Sequence, residues 1–275
     1  MIKRGKDVRG QATIYIIIAI LIAAIILAVL VLVKYKGFGI LTPRPRTPIP
    51  SEYIEQCARD AAQNAIDIML PQGGYLQPTN YRVYDNKHIA YLCYYNEFYN
   101  KCVNQEPNYF YHLEEEIKNY MTPKMKDCID GLVQSYRRAG YEVKHEDNSD
   151  LKIDVNIKPK KVELKIEKKL EISKGNDTRV FEKTQTFFNS PIYDMARTAI
   201  WIANGEAQFC NFEVQGYSLL PLYYAITVDR IILGENPAAN SDGGTAGTKI
   251  YKIKERASGK TLYIATRSCI MPPAR

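Results

Sequence analysis

Residues 151–172 read LKIDVNIKPKKVELKIEKKLEI. Leu151, Ile153, Val155 and Ile157 alternate with polar residues, and after Lys158-Pro159-Lys160 the alternation resumes at Val162, Leu164 and Ile166, with Leu170 and Ile172 beyond. Successive side chains on an extended chain point to opposite faces, so a period of two predicts half-buried antiparallel strands. Lys161, Glu163, Lys165 and Glu167 then share the solvent face. Pro159 predicts one turn and Lys174-Gly175-Asn176-Asp177 a second. Val143 adds an inward position upstream.

An apolar sheet face needs a covering layer, and the flanking sequence supplies helical patterns. Ile54, Cys57, Ala58, Ala61, Ala65, Ile68 and Met69 recur at helical spacing, predicting a helix over 52–70 with Ser51 as its N-cap, Glu52 and Glu55 in its first turn, and Pro71-Gln72-Gly73-Gly74 as its stop. Strands over 75–84 and 88–95 follow, joined at Asp85-Asn86-Lys87. Helices are expected over 109–120 and 123–138, with Thr122-Pro123 as a cap and first position and Gly140 as a stop. Ser190-Pro191 opens a helix to about Phe209 that carries the sole tryptophan, Trp201. Strands are expected over 222–233, 249–255 and 261–266, with a mobile Asn/Ser/Asp/Gly-rich loop over 234–248. The fold class read from this order is α+β, with helices packed on a largely antiparallel sheet, a possible sub-boundary near residue 140 and no internal repeat.

The N-terminus differs in kind. Residues 12–33 read ATIYIIIAILIAAIILAVLVLV, without charge, proline or glycine. As a helix this run is roughly 33 Å long, enough for a hydrocarbon core of about 30 Å. It has no solvent face, which argues against a buried soluble helix. A conventional secretory signal has a shorter apolar core and a small-residue cleavage site. Lys3, Arg4, Lys6 and Arg9 precede the run, and Lys34, Lys36, Arg44 and Arg46 follow it. The domain organisation expected is a basic cytoplasmic segment over 1–11, a transmembrane helix over 12–33, a proline-rich spacer over 34–50 and an extracytoplasmic α+β domain over 51–275.

All six cysteines, Cys57, Cys93, Cys102, Cys128, Cys210 and Cys269, follow the apolar run. Zinc sites need C-x-x-C or matching histidine spacings, and neither is present. Disulfides are therefore expected, which places the domain on the oxidising side of the membrane and the N-terminus in the cytoplasm. The pairs expected are Cys57 with Cys128 between two helices, Cys93 with Cys102 closing a local loop, and Cys210 with Cys269 tying the last helix to the C-terminus. Asn176-Asp177-Thr178 is an N-glycosylation sequon in an expected turn, with Asn176 as acceptor.

No catalytic constellation stands out. His88, His112 and His145 share no metal-ligand spacing, and the nucleophile-elbow, zincin and P-loop motifs are missing. Glu114-Glu115-Glu116 reads as a solvated helix face, since adjacent helical residues point in different directions. The expectation is a non-enzyme with no cofactor and no metal; if a site exists, its acids should lie near the tyrosines. The net charge of +7 owes much to the membrane flanks. Lys158, Lys160, Lys161, Lys168 and Lys169 form the one basic patch, read as a solvated sheet face with edge-protecting lysines, so no nucleic-acid partner is expected. The chain has 21 tyrosines. They concentrate at Tyr91, Tyr94, Tyr95, Tyr99, Tyr109 and Tyr111, which suggests either rings that cover the core with their hydroxyls in water or a contact surface for a protein or glycan around the Cys93–Cys102 loop.

Two resemblances add a setting. Lys6-Asp7-Val8-Arg9-Gly10-Gln11-Ala12-Thr13 resembles the class III signal peptide of archaeal type IV pilin-like proteins, which implies cleavage between Gly10 and Gln11 and retention of the helix as anchor and assembly element. Tyr15 stands where pilins usually have glutamate, and a proline spacer replaces their continuous helix. The Cys57-Ala58 helix, the Leu70-Pro71-Gln72-Gly73-Gly74-Tyr75 turn and Cys128 are similar to uncharacterised archaeal membrane-anchored surface proteins, a resemblance that implies no activity. The function expected is a membrane-anchored cell-surface protein of structural or interaction type, with partners in the membrane and at the surface. A subunit of a type IV pilus-like filament and a cell-envelope enzyme are the alternatives.

Overall fold

The computed structural model describes residues 15, 17–28, 48–97, 100–144, 150–219, 225–233 and 248–267. The expected processing site Gly10-Gln11, most of the spacer, Tyr99, His145, Cys269 and the 234–247 segment lie outside them. The chain divides into two compact units, 1–47 and 48–275.

In the first unit, residues 17–28 are helical, and every described side chain is exposed, Ile20 at 63% and Leu27 at 64%. Among the described residues no helix is long and apolar enough to cross a membrane. The ends of the 12–33 run lie outside those residues.

The second unit is α+β. Helix α1 spans Pro50–Met69 and α2 spans Tyr109–Arg138. Helix α1 buries Ile54, Ala58, Ala61, Ala62, Ala65, Ile66 and Met69. Its alanine stripe lets α2 approach closely with Ile117, Met121, Met125, Ile129 and Leu132, since interaxial distance follows side-chain size at the contact. Three ties run along the pair. Tyr136 donates to Pro48 O at 2.6 Å, Cys57 is bonded to Cys128 with Cα atoms 6.5 Å apart, and Tyr109 donates to Gly73 O just past the end of α1. The helices are therefore antiparallel.

Two expectations at these helices change. Ser51 is not the cap of α1: Ile49 takes that place, and Pro50 sits at the first position, where its missing N–H costs nothing. The two helices expected around Thr122-Pro123 are one helix with Pro123 inside it. Thr122 turns its hydroxyl onto Lys118 O at 2.8 Å, and the stripe from Leu113 to Tyr136 stays buried on both sides of the proline. Burial of that stripe outweighs the proline penalty of about 3 kcal/mol.

The four-stranded sheet holds β4 (Glu142–Lys144), β5 (Lys152–Lys158), β6 (Lys161–Lys174) and β7 (Asp177–Asn189), all antiparallel. Strand β7 takes one edge of β6, while β5 and β4 share the other. Its inner face carries Ile153, Val155, Val162, Leu164, Ile166 and Leu170. The outer face is laced by Lys158 and Lys161 to Glu163 and by Lys165 to Glu167, at 2.5–2.6 Å. Lys168 departs from the expected solvated patch. It stands in phase with the inward residues at a bulge in β6, is 1% exposed, and pairs with Asp150. The residue pattern does not reveal strand β7 because its inward positions include Thr184, which donates to Glu55, and Thr186, which accepts from Arg59, both partners on α1.

The six-stranded sheet holds β1 (Tyr81–Tyr84), β2 (Lys87–Tyr94), β3 (Val103–Asn104), β8 (Ile226–Leu233), β9 (Thr248–Glu255) and β10 (Thr261–Arg267). Its order is β1-β2-β10-β9-β8, with β3 also on β2. The β2–β10 pair is parallel and the others are antiparallel. Asp85 and Asn86 take φ 51° and 57°, closing the two-residue β1–β2 hairpin. Helix α3 (Ile192–Phe209) and the short α4 (Val214–Ser218) complete the unit.

Gly73 and Gly74, at φ 75° and 85°, end the single 3-10 turn Leu70–Gln72 that follows α1. A Cβ at Gly74 would stand 2.4 Å from the Tyr109 hydroxyl, whereas one at Gly175, φ 61°, would meet nothing within 4 Å. Gly74→Ala should cost about 2–4 kcal/mol by adding overpacking to left-handed strain, and Gly175→Ala only about 1 kcal/mol. Chemical denaturation of both variants checks this, and equal losses would contradict it.

Candidate functional site

The turn after α1 is gripped by one face of α2. With Gly73 and Gly74 left-handed, the Gly74 amide donates back to Met69 O at 2.9 Å and the turn's carbonyls are free to face α2. Tyr109 donates its hydroxyl to Gly73 O at 3.0 Å. His112 Nε2 lies 3.1 Å from Gly74 O, and a carbonyl can only accept, so this contact places the proton on Nε2. The Leu76 amide donates to Glu116 Oε2 at 2.7 Å. Residues 109, 112 and 116 share a face because they recur at three- and four-residue spacing.

Between these anchors Tyr75 is held out toward the end of the sheet. Its ring packs on His112 with centroids 4.1 Å apart, and its hydroxyl donates to Glu106 Oε1 at 2.6 Å. Glu106 Oε1 also lies 3.8 Å from His112 Nδ1. Glu106 follows β3, and its own amide donates to Asn104 Oδ1 at 2.9 Å. Strand β3 is fastened to β2 by the Cys93–Cys102 disulfide, Cα atoms 5.3 Å apart, and by Gln105 N donating to Leu92 O at 2.8 Å. Burial, the bond to Glu106 and the Glu106 and Glu116 charges all push the Tyr75 phenol up, far from neutral pH. Burial does the same to Tyr109. Both phenols therefore act as donors, not as nucleophiles. A cavity of about 230 Å³ opens beside this group, with Tyr75, Asn80, Tyr91, Gln105 and Glu106 among its walls.

The expected tyrosine surface divides. Tyr109 (1% exposed) and Tyr91 (6%) are buried and offer little outer surface, with Tyr109 in the main core and Tyr91 in the cavity wall. The Tyr91 hydroxyl bonds Thr248 Oγ1 at 3.2 Å, and the ring packs on Tyr94, itself half-buried beneath the Arg267 guanidinium. Tyr95 is half-buried against the main core, and Tyr111 is 58% exposed. The buried hydroxyls of Tyr91 and Tyr109 find interior partners in Thr248 Oγ1 and Gly73 O, as a buried polar group must. Sequence reasoning missed Tyr75 and Glu106. The available signal was a Gly-Gly pair directly before a tyrosine, which announces a special backbone but not what the ring touches.

The three consecutive glutamates are not a plain solvated face. Glu114 Oε1 accepts from Ile157 N of edge strand β5 at 2.8 Å, Glu115 pairs with Lys118 at 3.0 Å, and Glu116 holds Leu76 N. They do point in different directions, as the helical period requires. A second cavity of about 320 Å³ lies over Glu114, Glu115, Lys118 and Asp154. His88 is exposed, with its ring on Tyr81. Asn176 is exposed in the β6–β7 turn. Cys210 is disulfide-bonded, while Cys269 lies outside the described residues. Among the described residues no three His, Cys, Asp or Glu side chains are grouped to hold a metal.

A further buried polar group has a structural role. Lys249 donates to both Glu206 oxygens at 2.9 and 2.7 Å and to Cys210 O at 2.6 Å, and Tyr251 donates to the same carboxylate. Glu206 is fully buried. The cluster joins the end of α3 to β9.

No family model matches the chain, and no curated protein or solved structure shows significant similarity to it.

Two predictions follow from these groups. Lys249→Met would take the ammonium away from the buried Glu206 carboxylate, and should cost about 3–5 kcal/mol in urea unfolding; a loss near zero would show the pair to be idle. The second concerns alkaline pH. Tyr75, Tyr109 and Tyr251 are raised in the folded state, so their stabilising contribution is intact below the ordinary tyrosine pKa of about 10. Above it the unfolded chain releases protons that the folded chain keeps, and stability falls as pH rises. Melting temperature should drop steeply from about pH 10 upward. A flat profile to pH 12 would contradict the buried assignment.

Proposed function

We propose that the chain is a membrane-anchored surface protein with its N-terminus in the cytoplasm and its disulfide-bonded α+β domain outside, where the domain makes contacts instead of carrying out catalysis. The observation that carries this reading is the helical segment 17–28. All its described apolar side chains are exposed, and it belongs to an uncharged run of 22 residues. Apolar surface of that extent is costly in water, and a bilayer removes the cost. The cysteines support the orientation, because Cys57–Cys128 and Cys93–Cys102 are bonded and such bonds persist on the oxidising side. The commitment of Tyr75 and Glu114–Glu116 to structural hydrogen bonds and ion pairs supports a contact role over an enzymatic one. A filament subunit is the second reading, favoured by Gly10-Gln11 ahead of the apolar run.

In spheroplasts or intact cells, protease added outside should remove the 48–275 domain and leave a membrane-bound N-terminal fragment. Recovery of the whole chain in the soluble fraction, or protection of the domain, would sink the topology. N-terminal sequencing should begin at Gln11 if the pilin-like signal is processed, and an intact Met1 would remove the filament reading.

A further inference from the structure

We infer that the cavity beside Tyr75 is a saccharide-binding site that takes one neutral hexose ring, at the end of a surface or secreted glycan. This deepens the contact function and rests on the domain being extracytoplasmic. Three features of the cavity carry it.

The first is size. About 230 Å³ falls below the roughly 300–1,000 Å³ of sites for drug-sized ligands, and suits a single small ring. The second is the wall. His112 packs on the Tyr75 ring from the helix side, and Tyr75, Tyr91 and Pro78 all line the cavity. Aromatic side chains and a proline are rigid apolar neighbours for the C–H groups of a pyranose, with few torsions to freeze.

The third is the polar complement. Glu106 gives Oε1 to Tyr75, and among the described residues no donor reaches Oε2. Gln105 spends its amide N–H groups on Val103 O and Tyr94 O, which leaves its side-chain oxygen as an acceptor. The Asn80 amide and the Thr79 hydroxyl have no side-chain bond to a described residue and are exposed at the mouth. The cavity therefore presents a carboxylate acceptor, an amide donor and acceptor, and a hydroxyl around one ring-sized space. Neighbouring sugar hydroxyls each donate and accept, and this mixture satisfies them. Among the described residues the only charged side chain in the wall is Glu106, with Glu116 near Tyr75 and Arg82 and Arg267 near Tyr91, so charges of both signs surround the cavity and a neutral ligand suits it. An ammonium group, which only donates, would use Glu106 and the Gln105 oxygen but leave the Asn80 N–H groups without an acceptor.

The site is also preorganised. Tyr75 is clamped by Glu106 and His112, and Glu106 and Gln105 follow a strand stapled by Cys93–Cys102, so little ordering remains for a ligand to impose.

The test uses the full chain in lipid nanodiscs, because sugar-headed detergents would compete. Glucose, galactose, mannose and their short oligosaccharides are titrated by saturation-transfer NMR and calorimetry. At least one hexose should bind with a dissociation constant of about 1 mM or tighter. Glu106→Ala should weaken binding at least about tenfold, and Asn80→Ala about three- to tenfold. Asn80 is exposed, so its variant keeps the wild-type melting temperature and separates site from fold. Affinity should hold between low and high salt, since the ligand is neutral. Failure of every hexose to bind folded protein overturns the inference, as does binding indifferent to both substitutions. Binding of simple alkylamines alone, lost in salt, overturns it in favour of a cation site. If the domain is shown to be outside and no hexose binds, only the sugar assignment falls; if hexose binds but the domain faces the cytoplasm, only the topology falls.

Discussion

The close antiparallel approach of α1 and α2 is the constraint on which the rest of the domain depends. Ala58, Ala61, Ala62 and Ala65 give α1 a face with little side-chain bulk, and α2 meets it with Ile117, Met121, Met125 and Ile129. The Cys57–Cys128 bond closes a span of 71 residues. In the chain-entropy account a loop of that length is worth about 4 kcal/mol against the unfolded state. Because the pair is held at both ends and near its middle, the turn that follows α1 has one position available against the N-terminal face of α2.

That position creates the cavity. Gly73 and Gly74 adopt backbone angles that other residues reach only with strain, and the Tyr109 hydroxyl occupies the space a Cβ would take. Tyr75 is thereby delivered to Glu106, which the short Cys93–Cys102 loop holds in place. Tyr75 and Glu106, 31 residues apart, meet at one hydroxyl–carboxylate contact of 2.6 Å. At this contact the raised phenol donates and the carboxylate accepts.

Much of the fold was legible in the residues. The period-two runs of β5 and β6, the Asp85-Asn86 hairpin, the 52–70 helix pattern and two disulfide pairs correspond to β5, β6, β1–β2, α1, Cys57–Cys128 and Cys93–Cys102. Each rests on local physics: alternation, turn residues, helical period, or proximity within a loop. What failed to show was non-local. The polar inward positions of β7 hide a strand because Thr184 and Thr186 answer Glu55 and Arg59, more than 120 residues away. Pro123 reads as a break because its compensating burial lies on other elements. Lys168 reads as surface because Asp150, which neutralises it, lies across a hairpin.

The candidate site divides along the same line. Clustering of tyrosine near acids is visible in the residues, yet it singled out Tyr109, which the core absorbs, and passed over Tyr75. By itself the sequence determined the uncharged apolar run, the α+β alternation, the cysteine framework and the absence of familiar catalytic motifs, because each depends on residue type and spacing along one chain. Only the tertiary structure decided which tyrosines line a cavity, which glutamates hold backbone amides, and which lysines are buried. Those properties belong to contacts between segments far apart in sequence, whose mutual positions are set by helix packing and sheet register.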